Sequence, residues 1–230
     1  KTRQMKTLQR VEFKDLDIAF LTTTLEWASD GKQLLFSSIG LLPKELGVIS
    51  INLDDGTIKQ LSDKGILPRF IEGHVLFVVG TEVWSVNRDG SDKKKIFDVG
   101  MPVVGLSSVV NGKIIIQALA TKPSDKEAPF KLYIFKVESN KPDMREITLK
   151  NYLLFCPNIS PDGKKFTAIG MRLKKDGQMV SEKEAELGYY LFTIDTEEVI
   201  LLKKFEDKSK GEGFWWGVYA GYGNHTSWSR

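Results

Sequence analysis

Apolar residues along this chain fall in short runs or alternate with polar ones. Clear cases are Lys32-Gln33-Leu34-Leu35-Phe36, Val48-Ile49-Ser50-Ile51, Val75-Leu76-Phe77-Val78-Val79, Ile114-Ile115-Ile116 and Leu132-Tyr133-Ile134-Phe135. Such runs are rich in β-branched and aromatic side chains and end at Asp-Gly, Asn-Gly or charged turns, which predicts β-strands. Asp-Gly stands at 30–31, 55–56, 89–90, 162–163 and 176–177, and Asn-Gly at 111–112. Glycine accepts positive φ without a steric penalty, so these pairs favour tight antiparallel reversals. Helical periodicity is nearly absent. Ser181 to Leu187, SEKEAEL, is expected as one short solvated turn of helix inside a charged loop, Lys174 to Gly188. The fold class is all-β.

The turns recur. Gly31, Gly73, Gly112 and Gly163 follow one another at intervals of 42, 39 and 51 residues. Each is followed by an apolar strand (KQLLFSS, HVLFVV, KIIIQAL, KKFTAIG). A second apolar strand comes next (LGVISINL, EVWSVN, KLYIFKV, GYYLFTID), then a more polar one (TIKQLS, DKKKIFD, MREITLK, EVILLKKF). With one strand before each glycine, the unit has four strands. A period of about 40–45 residues with four strands per unit is the signature of a β-propeller blade. Stacked blades bury both faces of each inner strand, which explains why those strands are apolar on both sides.

The units resemble the TolB-like β-propeller repeat, whose core runs Pro-x-Trp-Ser-Pro-Asp-Gly-Lys, then a strand, then a strand closed by Asp-Gly. The best copy is Pro157-Asn158-Ile159-Ser160-Pro161-Asp162-Gly163-Lys164, and a second is Trp27-Ala28-Ser29-Asp30-Gly31-Lys32. Degenerate copies are Pro68-Arg69-Phe70-Ile71-Glu72-Gly73 and the region ending Asn111-Gly112-Lys113; later Asp-Gly elements are 53–57 and 87–91. The WD-repeat signature is absent. The expected blades are 25–65, 66–100, 101–150 and 151–206, with a further blade opening in 207–230 at Trp228-Ser229-Arg230. Met5 to Phe13 is expected as a last strand of a preceding or closing blade. The resemblance implies part of a ring of six or more blades; closure on four blades is the competing reading. Trp27, Phe70 and Ile159 are expected at equivalent inner-strand positions.

Composition narrows the chemistry. The chain has 230 residues, 33 Lys plus Arg against 30 Asp plus Glu, and a net charge of +3. That is too small an excess to argue for nucleic acid. No run of about 18 apolar residues exists to span a membrane. Residues 1–10, KTRQMKTLQR, lack the apolar stretch of a signal peptide. The single cysteine, Cys156, excludes an internal disulfide and is expected as a small buried hydrophobe. His74 and His225 are the two histidines. Two histidines and one cysteine argue against a Cys/His zinc site, and no Gly-x-Ser-x-Gly or His-Glu-x-x-His occurs. Asp30, Asp54, Asp55, Asp89, Asp92 and Asp162 lack the spacing of a calcium loop and are expected to satisfy turn amides. No catalytic residue, cofactor or tightly bound metal is expected. Lys93-Lys94-Lys95 and Lys203-Lys204 are expected on outer strands, where they discourage edge pairing.

The densest functional signal is Gly211 to Trp228, GEGFWWGVYAGYGNHTSW, which holds six aromatic residues and five glycines. Glycine allows close backbone approach, and aromatic rings offer large contact area with few rotamers to freeze. Phe214, Trp215, Trp216, Tyr219, Tyr222 and His225 are therefore the candidate partner-binding residues. Packing between blades is the alternative for the same rings. Asn224-His225-Thr226 is a formal glycosylation sequon. The first functional reading is a non-enzymatic scaffold that binds a protein or peptide on one face of the ring. The resemblance implies an extracytoplasmic setting, periplasmic or secreted, with a cytoplasmic one also open. The second reading is an accessory propeller of a larger enzyme, of the prolyl-oligopeptidase or sugar-lyase type.

Overall fold

A computed structural model describes residues 24–37, 47–120, 130–137, 143–147, 152–172, 186–196 and 198–205. Met5 to Phe13, Gly211 to Trp228 and Trp228-Ser229-Arg230 lie outside the described residues. The described chain forms four four-stranded sheets. Blade one is β1 (Thr24–Trp27), β2 (Gln33–Ser37), β3 (Val48–Asn52) and β4 (Ile58–Ser62). Blade two is β5 (Ile66–Ile71), β6 (His74–Val79), β7 (Glu82–Asn87) and β8 (Lys94–Asp98). Blade three is β9 (Val103–Leu106), β10 (Lys113–Leu119), β11 (Phe130–Lys136) and β12 (Asp143–Ile147). Blade four is β13 (Tyr152–Ile159), β14 (Lys165–Arg172), β15 (Glu186–Thr193) and β16 (Val199–Lys204). Each blade is an antiparallel meander, with its strands side by side in chain order.

The turn chemistry sets the hairpins. Asn111 and Gly112 both have positive φ, 49° and 67°, and the main chains of Val110 and Lys113 bond each other in both directions. That is the two-residue turn whose twist matches the flanking strands. At the Asp-Gly turns the aspartate carboxylate accepts a backbone N–H two residues on. Asp30 accepts from Lys32, Asp55 from Thr57, Asp89 from Ser91 and Asp162 from Lys164. The Ser91 hydroxyl at Asp89 and the Ser160 hydroxyl at Asp162, and the backbone N–H groups at all four, hold these carboxyls below their ordinary value. The charged loop after β14 gives way to β15 at Glu186, so Glu186 and Leu187 are strand rather than the expected helical turn. Leu187 is buried among Leu153, Ile169 and Met171, and that apolar partnership outweighs helix propensity.

Strand alternation distributes the core. Along β11, Tyr133 and Phe135 pack toward blade two, while Leu132 and Ile134 pack toward blade four. Along β10, Ile114 and Ile116 face blade two and Ile115 faces blade four. Leu35, Val48 and Leu61 of blade one meet Val75, Phe77 and Val86 of blade two in the same way. Three of the hydrophobic layers therefore lie between blades, and a fourth cluster, Leu153, Ile169, Met171 and Leu187, lies on the far face of blade four. Innermost strands adjoin in sequence: β1 against β5, β5 against β9, β9 against β13. Among the described residues no helix is long and apolar enough to cross a membrane.

Trp27, Phe70 and Ile159 occupy matching positions, paired with Leu34, Val75 and Phe166 of their second strands. Phe70 packs toward blade one and Ile159 toward blade three. Trp27, on the same side of blade one, is 61% exposed. A ring closed on four blades would cover it, so the four sheets form an open arc, a partial ring.

Candidate functional site

The two faces of the arc differ. The first-to-second and third-to-fourth strand turns of every blade share one end, where Asp-Gly at 30–31, 55–56, 89–90 and 162–163 and Asn-Gly at 111–112 sit. At the other end, second strands connect to third strands through residues 38–47 in blade one, 120–129 in blade three and 173–185 in blade four. Blade two closes the same connection with Gly80-Thr81 alone. Antiparallel alternation also directs β16 toward this end. Long connections on a rigid frame are where proteins commonly place binding residues. The candidates themselves, Phe214, Trp215, Trp216, Tyr219, Tyr222 and His225, lie outside the described residues.

The inner strands carry a buried polar chain. Arg69 of β5 is 1% exposed and is the one buried charged side chain among the described residues. Its Nε donates to the carbonyls of Leu106 at 3.2 Å and Ser107 at 3.1 Å, and its Nη2 donates to Leu106 at 2.7 Å. Nη1 donates to the Pro68 carbonyl at 2.9 Å and lies 3.9 Å from a carboxylate oxygen of Glu26 in β1. One guanidinium thus joins blades one, two and three. Burial pushes the Glu26 carboxyl above its ordinary value, and the nearby guanidinium opposes this without reversing it. Desolvation therefore outweighs the ion pair for Glu26, as is common for buried charges. Burial likewise pulls Arg69 down, with Glu26 opposing.

Gln117 of β10 performs a similar task between blades three and four. Its Nε2 donates to the Leu154 carbonyl at 2.9 Å, and its Oε1 accepts from the Cys156 amide at 3.3 Å. Gly105 makes room for it: a Cβ there would stand 2.9 Å from Oε1. A bulge accompanies each bridge, on β5 beside Arg69 itself and on β13 where Gln117 bonds. Leu67 and Cys156, each followed by proline, have φ of 55° and 53°, and the register slips by one residue at each. Neither Glu26 nor Gln117 belongs to a recognisable motif, and Arg69 fills the variable position of a degenerate one. A signal does exist in the repeat: the residue before Trp27, Phe70 and Ile159 is Glu26, Arg69 or Asn158, polar in all three copies.

A groove of about 220 Å³ opens between blades three and four on the tight-turn face. It is lined by Lys113, Lys136, Arg145, Asp143 and Asp195 over Ile134 and Ile194. Lys136 pairs with Asp143 at 3.3 Å, and Arg145 with Asp195 at 3.1 Å. The remaining chemistry is sparse. Cys156 is buried, as expected, and burial pushes its thiol up to about 12, so it holds its proton at neutral pH. His74 opens β6 opposite Ile71 and Asn87 and is half-buried. Among the described residues no three His, Cys, Asp or Glu side chains cluster to hold a metal ion.

The backbone is similar to that of TolB from Acinetobacter baumannii, with 14% identity and a TM-score of 0.57 over 80% of this chain and 44% of that one. The four sheets are blades of a β-propeller. An oligogalacturonate lyase solved in complex with manganese has 14% identity and a TM-score of 0.55 over 80% of this chain and 54% of its own. The β-propeller domain of the Trilobed protease from Pyrococcus furiosus has 13% identity and a TM-score of 0.51 over 83% and 58%. At these identities the likeness is one of fold. This propeller chain spans about half the length of the structures it matches. No protein-family model and no curated protein sequence matches it.

Proposed function

We propose that this chain is a non-enzymatic propeller scaffold that binds a protein or peptide partner at the end carrying the long connections. The carrying observation is the asymmetry of the arc. At one end successive strands are joined by two to six residues, whereas at the other the second and third strands of blades one, three and four are separated in sequence by residues 38–47, 120–129 and 173–185. Buried rivets such as Arg69 and Gln117 stiffen the inner strands behind that end, which lowers the ordering cost of binding. Phe214, Trp215, Trp216, Tyr219, Tyr222 and His225 follow β16 in the sequence and are proposed to supply the aromatic contact area. The TolB-like fold favours an extracytoplasmic setting. A second reading, an accessory propeller of a larger enzyme, is favoured by the lyase and protease among the similar structures.

Panning a random peptide library on the chain tests the first reading. Selected peptides should bind with affinities that Trp215→Ala and Tyr219→Ala weaken at least tenfold while the melting temperature holds. Lost stability in both variants would assign those rings to blade packing instead. Turnover of oligogalacturonate or of chromogenic peptides by the purified chain would favour the enzyme reading.

A further inference from the structure

The outer strand of blade four departs from its counterparts. In three blades the fourth strand carries one extra residue relative to the third: Leu61 in β4, Ile96 in β8 and Leu202 in β16. The two residues before the extra one are Lys59-Gln60 in blade one and Lys94-Lys95 in blade two, all exposed. Charged edges of this kind protect a sheet from pairing with another chain. In blade four the same positions are Ile200 and Leu201, 45% and 38% exposed. With Leu202, at 54%, they form a run of three exposed apolar residues on an edge that has no further strand partner among the described residues, a pattern that functional surfaces tolerate and inert ones avoid.

The charges beside this run are also unlike those of blade two. Lys93, Lys94 and Lys95 are each engaged within the chain, by Asp63, Asp92 and Glu82 at 3.3, 3.0 and 3.0 Å. Among the described residues, Glu198, Lys203 and Lys204 have no ion-pair partner. Their order is self-complementary: an acid before the apolar run, bases after it.

We infer that β16 pairs antiparallel with β16 of a second copy of this chain. A two-fold axis at Ile200 sets Ile200 opposite Ile200 and Val199 opposite Leu201, with Leu202 standing outside the register as the extra residue. It sets Glu198 of each copy opposite Lys203 of the other. Parallel pairing would oppose Lys203 to Lys203, so the charges select the antiparallel arrangement. The interface is isologous and closes on itself, which limits assembly to a dimer. Edge pairing over one short strand buries little surface, so the dimer is weak and concentration-dependent.

Sedimentation equilibrium on the purified chain tests this. Wild type should dimerise at concentrations on the order of 100 µM, as expected of a small interface. Ile200→Lys with Leu201→Gln, which restores the blade-one edge, should be monomeric at the same concentration with an unchanged circular dichroism spectrum. Glu198→Lys or Lys203→Glu alone should weaken dimerisation about tenfold, and the two together should restore it. The charge-reversal pair decides the matter if the first variant fails to fold. A wild-type chain that stays monomeric would overturn the proposal and leave the edge to a strand of another protein. A dimer indifferent to the blade-one edge, or a double reversal no better than the single ones, would also overturn it.

Discussion

Arg69 and Glu26, on the inner strands of neighbouring blades, meet at 3.9 Å in a buried setting where desolvation of Glu26 exceeds its attraction to the guanidinium. The pair is thus costly as an ion pair, and its retention fits the larger duty of Arg69 toward the carbonyls of Leu106 and Ser107.

Removing that duty should be expensive. Arg69→Met leaves three buried carbonyls without their donor and Glu26 without its counter-charge, with an expected loss of about 3–5 kcal/mol. Arg69→Lys keeps the charge and loses the planar fork, so it should fall between the two. Urea denaturation of the three proteins checks the order. A loss under about 1 kcal/mol for Arg69→Met would mean that water replaces the guanidinium at these carbonyls.

Glu26 makes stability depend on pH in a definite sense. Its carboxyl sits above the ordinary value of 4.5 in the fold. A carboxyl raised in this way favours the fold most when protonated, so its contribution is complete below 4.5 and is lost as pH rises through the folded value. The exposed aspartates in the turns are shifted downward, so their contributions appear above their unfolded values and fade only in stronger acid. Glu26→Gln isolates the one from the others. The stability of wild type minus that of Glu26→Gln should fall between pH 4 and pH 7. A rise across that window would show that the ion pair dominates.

Gln117 should be recognisable as a structural bridge by what its loss exposes. Gln117→Leu removes the bonds that Gln117 makes to the Leu154 carbonyl and the Cys156 amide, at a cost of about 1–3 kcal/mol. The same lesion loosens the bulge around Cys156, whose thiol is buried and pushed up to about 12. A thiol reagent at pH 8 should therefore label wild type slowly and Gln117→Leu faster. Equal labelling rates would detach the bulge from Gln117.

Trp27 and Phe70 test the open arc. Phe70 packs between blades one and two beneath Arg88, whose guanidinium lies 4.9 Å from the ring centroid and pairs with Asp30 at 3.0 Å. Phe70→Ala should cost about 2 kcal/mol or more. Trp27→Ala, at the matching but exposed position, should change stability by about 0.5 kcal/mol or less. A large effect at Trp27 would mean that another surface covers it in solution.

The sequence by itself determined the strands, the turns and the period, because alternation and Asp-Gly or Asn-Gly chemistry act over a few residues. Trp27, Phe70 and Ile159 could be aligned as equivalent from spacing alone, and Cys156 and the turn aspartates could be read as structural. What spacing could not supply was the neighbour. Trp27 and Phe70 look interchangeable in the repeat, yet one faces open space and the other a packed blade. Arg69 reads as a surface residue in a degenerate motif until the carbonyls of blade three, 37 and 38 residues away, arrive beside it. The edge of β16 reads as guarded by Lys203-Lys204 until register shows that Ile200 and Leu201 hold the guarding positions. Such facts depend on which distant strands meet and in what register. Local periodicity carries no record of that, so only the tertiary structure decided it.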